Sequence, residues 1–283
     1  MSQRTDLALE KSEKAGKVPG IDLEEEIKNG VTVTRIRVTD RAGELTVGKP
    51  AGNYITVEAD NFGGETDGDC REIITEELSR LIPKEGTVLV TGLGNYDITP
   101  DALGPKTADR IFATRHIDGE TAKEIGLERL RPVCVLSPGV LGKTGIETAE
   151  IIRAVAEKIK PSAVVAVDAL AAMEPVRLGK TVQLSDTGIC PGSGVGNSRS
   201  ELSKKSLGIP VIAVGVPTVV DMATLAEGLA GEQGAARLDC GCEMMVTPRE
   251  IDAVIDRAAD LVALSLNCAL QPQLSPKELS ALV

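Results

Sequence analysis

The stretch TVLVTGLGNYDITPDALGPK, residues 87–106, decides the fold. Its apolar run ends in Thr91-Gly92-Leu93-Gly94-Asn95, and a segment that opens like a helix follows. A short run that is apolar on both faces fits a strand buried on both sides of a parallel sheet. Three more such runs follow, PVCVLS (132–137), AVVAVDA (163–169) and PVIAVGV (210–216). Helical spacing marks the stretches ALGPKTADRIFATRHI (102–117), GIETAEIIRAVAEKIK (145–160) and TPREIDAVIDRAADLVALSLNCAL (247–270). This alternation predicts an α/β fold, a single domain with a mostly parallel central sheet flanked by helices. Upstream, VTVTRIRV (31–38) alternates and YITVEA (54–59) partly does, so both read as half-buried, paired strands that extend the sheet or pack beside it. CREIITEELSRLI (70–82) has helical spacing, whereas the first thirty residues are charged and poorly periodic.

Composition narrows the function. Of 283 residues 42% are hydrophobic, yet there are only two Phe, two Tyr and no Trp, so the core is aliphatic. So few aromatic rings disfavour base-stacking platforms for nucleic acid. A net charge of −11 disfavours phosphate-backbone binding as well. The N-terminus lacks a signal-peptide core and no window approaches eighteen apolar residues, so the reading is a cytoplasmic protein with no membrane partner. The six cysteines read as free thiols in a chain of this size. Cys240 and Cys242 form a C-x-C without a second pair, which is weak support for a structural zinc site.

In open α/β sheets ligands bind beyond the carboxyl ends of the strands. At the end of the first run, Asp97 stands where a dinucleotide fingerprint needs its third glycine, and no G-x-x-x-x-G-K-[ST] loop occurs. Gly92 and Gly94 then serve a tight turn or bring backbone to a ligand. Thr99 reads as a helix N-cap with Pro100 at the first helical position. Asp101 falls in that first turn, where the helix dipole alone would favour a carboxylate. Asp168 follows five apolar residues of a buried strand, where an unpaired carboxylate is costly. If the strands are near neighbours, the two carboxyls share one water as general base and general acid. The alternative is that both are structural caps. Glycine-rich loops at 137–150 and 185–199 add Gly145, Gly192, Ser193 and Gly194 to Gly92, Gly94 and Asn95 as a substrate and oxyanion loop set. Ordinary tight turns are the alternative there. Ser-His-Asp chemistry is disfavoured, because His116 is the single histidine and no G-x-S-x-G elbow is present.

The blocks GLGN, TPDALGPK, GVLGKTGIET, VDALA, DTGICPGSGVGN, GIPVIAVGVPTVVD and MMVTPREID, in this order, resemble the germination protease family. The resemblance runs from RTDLALE to the C-terminal helix. It implies an endopeptidase of aspartic type, similar in fold to hydrogenase-maturation endopeptidases, that degrades small acid-soluble spore proteins during germination. It also implies a self-processing zymogen, a homotetramer, and a location in the cytoplasm of the developing spore core. The family's catalytic aspartates fall on Asp101 and Asp168. Family substrates are cut after an acidic residue, and Thr5-Asp6-Leu7-Ala8 is similar to that motif. The expected self-cleavage is between Asp6 and Leu7, giving a pro-segment over 1–6 and a peptidase domain over 7–283. This sequence departs from the family in its short pro-segment and in the compact AEGLAGEQGAARLDCGCE. It also has Cys190 where members often have His. No cofactor or metal is expected. Two rival readings are a metal-dependent maturation peptidase and a non-catalytic nucleotide- or phosphate-binding regulator.

Overall fold

The four apolar runs form adjacent parallel strands. The structure, a computed structural model, describes residues 4–16, 18–59, 62, 67–124, 127, 129–192, 200–229 and 244–283. Its strands are β1 (Ile21–Lys28), β2 (Val31–Val38), β3 (Gly52–Glu58), β4 (Val88–Gly92), β5 (Val133–Leu136), β6 (Ala163–Ala172), β7 (Thr181–Ser185), β8 (Val211–Asp221) and β9 (Met245–Val246). They make one mixed sheet in the order β1-β2-β3-β7-β8-β6-β4-β5, with β9 against β8. β5, β4, β6 and β8 are mutually parallel. β7, β3, β2 and β1 continue from β8 as an antiparallel wing. The N-terminal strands therefore extend the sheet, as their alternation suggested.

Successive residues of a strand face opposite sides. Val88, Val90, Val165, Val167, Ile212 and Val214 face α3 (Asp67–Leu81) and the helix Ile251–Leu270. Leu89, Val164, Ala166 and Val211 face Ala149 and Ile152 of the helix Thr148–Ile159. Each fully buried aliphatic side chain contributes about 1.5–3 kcal/mol, so both faces anchor the parallel block.

Two helix expectations change. The helix expected over 102–117 is only Leu103–Ala108. Beyond it, buried Asn267 accepts from the amide of Phe112 and donates to the carbonyl of Arg110 at 2.9 Å each. Those groups are thereby taken from a helical ladder. Thr99 is not a cap: Ile98 precedes a one-turn 3-10 helix, Thr99–Asp101, and no side chain caps it. Pro100 does sit at its start.

The N-terminal segment is docked on this sheet by buried polar contacts. Helix α1 (Ala8–Ala15) carries Glu10, which has no exposed surface. The Glu10 carboxylate accepts from the amides of Met173 at 2.7 Å and Glu174 at 2.9 Å, just past β6, and from the Thr5 hydroxyl. A second helix, α2 (Arg41–Val47), joins β2 to β3 and packs near α1. Its start is capped by Asp40, whose carboxylate accepts from the amides of Ala42 and Gly43.

Candidate active site

The parallel strands end at a cavity of about 630 Å³. Asp101, Asp168, Gly94, Cys190 and Gly192 all line it. Asp168 stands in β6 beside Gly215 of β8 and is almost fully buried. Its Oδ1 accepts from the amide of Ala169 at 2.9 Å. β6 also pairs with β4, and the amide of Leu93 just past β4 donates to the carbonyl of Val167 at 2.8 Å. The loop that carries Asp101 thus starts beside Asp168.

Asp101 is positioned by backbone. Its amide donates to the carbonyl of Ile98 at 2.8 Å, and its Oδ2 accepts from the amide of Asn95 at 2.8 Å. The Thr218 hydroxyl of β8 donates to the carbonyl of Pro100 at 2.8 Å, tying this turn to the strand beyond Asp168. Gly94 has φ +112, and a Cβ there would lie 2.1 Å from the carbonyl oxygen of Asp101. Only glycine fits both conditions. Gly92 serves packing instead. A Cβ on it would lie 2.1 Å from the carbonyl oxygen of Gly104, where the helix Leu103–Ala108 crosses β4.

The remaining loop residues divide. Gly92 and Asn95 are not among the lining residues, although the Asn95 amide holds Asp101. Gly145 is exposed, closes the short helix Leu141–Thr144 with φ 71, and lies away from the cavity lining. Ser193, Gly194, Cys240 and Cys242 lie outside the described residues. His116 is exposed. Among the described residues, no group of three His, Cys, Asp or Glu side chains is placed to hold a metal ion.

The segment around Asp6 and Leu7 runs along the far end of β6. The Asp6 amide donates to the carbonyl of Ala171 at 2.8 Å, and the Ala171 amide donates to Asp6 Oδ2 at 3.0 Å. Gln183 of β7 spans the Asp6–Leu7 bond: its Nε2 donates to the Asp6 carbonyl at 3.1 Å and its Oε1 accepts from the Ala8 amide at 2.7 Å. Leu7 is fully buried against Leu170, Ala172 and Val220. Asp6 lines the same cavity as Asp101 and Asp168.

Residues of the antiparallel wing complete the lining and were not legible as site residues. Gln183 and Ser185 come from β7, Thr187 follows it, Tyr54 comes from β3, and Lys49 precedes β3. The Tyr54 hydroxyl donates to the carbonyl of Pro50 at 2.8 Å. Burial pushes that phenol up to about 12.

The sequence model of the germination protease family matches residues 2–229. The chain belongs to the germination protease family. It is 40% identical to a germination protease of Caldanaerobacter subterraneus subsp. tengcongensis, covering 99% of this chain and 98% of the relative. It is 41% identical to that of Clostridium tetani, with 99% of each covered, and 39% identical to that of Bacillus velezensis, with 96% of this chain and 94% of the relative covered. The first two alignments extend over 318 and 323 positions, so those relatives carry segments that this 283-residue chain lacks. A solved NiFe hydrogenase maturation protease from Thermococcus kodakarensis aligns at 20% identity and a TM-score of 0.38, over 67% of this chain and 98% of that one. Family membership makes this chain a peptidase.

Proposed function

We propose that this chain is an endopeptidase that initiates degradation of small acid-soluble spore proteins, cutting after an acidic residue with a carboxylate-activated water. The observation that carries the reading is that Asp101, on the 3-10 turn that follows β4, and Asp168, within β6, line one cavity. One carboxylate takes a proton from water, and the water oxygen attacks the scissile carbonyl. The partner carboxyl, in its protonated form, gives its proton to the leaving amine. Gly94 and Gly192 line the cavity, and their loops are assigned to the substrate backbone and the oxyanion.

The chain is made as a zymogen that removes residues 1–6 by cutting between Asp6 and Leu7. Support comes from Asp6 lining its own chain's cavity. Assembly as a homotetramer and action in the spore core follow from the family resemblance.

The test is cleavage of a small acid-soluble spore protein by wild type, Asp101→Asn and Asp168→Asn, with and without a chelator. The expected result is loss of activity in both folded variants and a chelator-insensitive wild type. Activity that survives either substitution removes that residue from the mechanism. Chelator inhibition moves the chemistry to a metal held by the two aspartates.

A further inference from the structure

A carboxylate already occupies one end of the cavity, and its surroundings describe what that end recognises. Asp6 Oδ2 accepts from the Ala171 amide at 3.0 Å. Ala171 lies three residues past Asp168 on β6, about 10 Å along a strand that rises roughly 3.3 Å per residue. Ala171 and Asp168 line the same cavity. Lys49 is the one cation among the described lining residues, where four carboxylic residues, Asp6, Asp101, Asp168 and Glu201, also appear. Lys11 of α1 stands next to it: its Nζ lies 3.0 Å from where a Cβ on Gly48 would be, and Gly48 borders Lys49 in the lining.

We infer that Lys49 and Lys11, with the Ala171 amide, form the subsite that reads the acidic side chain of the substrate, and that Asp6 occupies this subsite before processing. The inference rests on the peptidase reading above and names the specificity determinant of that same cavity. Its electrostatics are self-consistent. Burial and then the charge of Lys49 press the Lys11 ammonium to lose its proton, while Asp6 opposes this. Two neighbouring cations in a partly dehydrated site favour an anion between them, and a bond from an amide to a charged acceptor adds direction. Removal of residues 1–6 takes away Asp6 but leaves Lys11, Lys49 and Ala171 in the mature chain. The vacated site then presents two cations and a backbone donor to a Glu or Asp of the substrate. A Gln at that position keeps the hydrogen-bonding shape but loses the charge.

The test uses three peptides that differ only by Glu, Gln or Lys at the residue before the cut, and four proteins: wild type, Lys49→Gln, Lys49→Glu and Lys11→Gln. Wild type should cleave the Glu peptide with a kcat/KM about 10- to 100-fold above the Gln peptide, the range expected for one charge-assisted contact. In Lys49→Gln that ratio should collapse toward one, chiefly through KM, and in Lys11→Gln it should fall in the same direction. Lys49→Glu should reverse the order in favour of a peptide with Lys at that position. An unchanged Glu-to-Gln ratio in active Lys49→Gln and Lys11→Gln overturns the subsite while leaving the peptidase reading intact. Failure of wild type to cut the Glu and Gln peptides overturns the peptidase reading and this inference with it. A second readout does not depend on cleavage: in the inactive Asp101→Asn background, Asp6→Asn should lower Tm, and the loss should shrink when Lys49 is Gln. Additive losses overturn the proposed occupation of the subsite by Asp6.

Discussion

The amide of Asn95 donates to Oδ2 of Asp101 at 2.8 Å, so the loop leaving β4 folds back to hold a carboxylate six residues further on. That return passes through Gly94, at φ +112, with no room for a Cβ beside the carbonyl of Asp101. Gly94→Ala should therefore cost about 1–3 kcal/mol of stability, the range for a strained backbone position. It should also lower kcat by more than ten-fold, because relief of the clash moves Asp101. Paired measurement of Tm and peptide cleavage checks this. A stable variant with full activity would mean that the loop does not position Asp101.

Glu10 tests what holds the N-terminal segment. Its carboxylate is fully buried and accepts from two amides beyond β6 and from Thr5. Arg177 lies 3.8 Å away. Glu10→Ala strands the buried Met173 amide, frees the half-buried Glu174 amide and removes hydrogen bonds to a charged group, which predicts a loss of about 3 kcal/mol. Chemical denaturation should show a lower midpoint with an unchanged slope. A shift of less than about 0.5 kcal/mol would place the anchoring of α1 in its apolar contacts instead.

The parallel strands and the alternating strands β2 and β3 were legible, whereas β7 and β1 were not, for one physical reason. β4, β6 and β8 are covered on both faces, so their sequences are apolar runs that announce themselves. β7, TVQLS, is also buried along its length, but Gln183 and Ser185 turn polar groups toward the cavity, and that erases the strand signal. β1, IDLEEEIK, is an edge strand exposed along most of its length, so no apolar face marks it. The same division holds at the site. Asp168 stood out because it follows an apolar run directly, and Asp101 because it lies in the turn that opens after one. Lys49, Tyr54 and Gln183 reach it only through the pairing of β3 with β7 and of β7 with β8. Such long-range register has no local trace in the sequence.

Tyr54 gives the cavity wall an alkaline limit. Burial is the largest influence on its phenol and raises it from 10.0 to about 12; the Thr187 hydrogen bond opposes this. A group with a raised folded pKa contributes stability that is complete below its unfolded value and is lost as pH rises through the folded value. The window is therefore from about pH 10 to about pH 12, and the loss should reach about 2 kcal/mol. Tyr54→Phe should lose roughly 1 kcal/mol at neutral pH, with the hydrogen bond to Pro50, but should lack this part of the alkaline fall. Urea unfolding of both proteins at pH 8, 10 and 11 checks it. Parallel pH profiles would show that Tyr54 does not ionise late.

The Asp6–Leu7 bond lies at its own chain's cavity, and Gln183 clamps both sides of it. Self-cleavage should then be intramolecular. Its rate should be first order and independent of protein concentration, and intact mass should show loss of residues 1–6. Asp101→Asn should remain uncut. Before attack, the segment has to leave the Gln183 clamp so that the Asp6 carbonyl reaches the dyad. Gln183→Ala removes two hydrogen bonds from that resting arrangement, worth about 1 kcal/mol each. The variant should therefore process faster, by roughly ten-fold or somewhat more. Incubation at several concentrations, followed by mass spectrometry, separates the possibilities. A rate that rises in proportion to concentration would make processing intermolecular. Slower cutting in folded Gln183→Ala would mean that the clamp presents the bond to the dyad rather than withholding it.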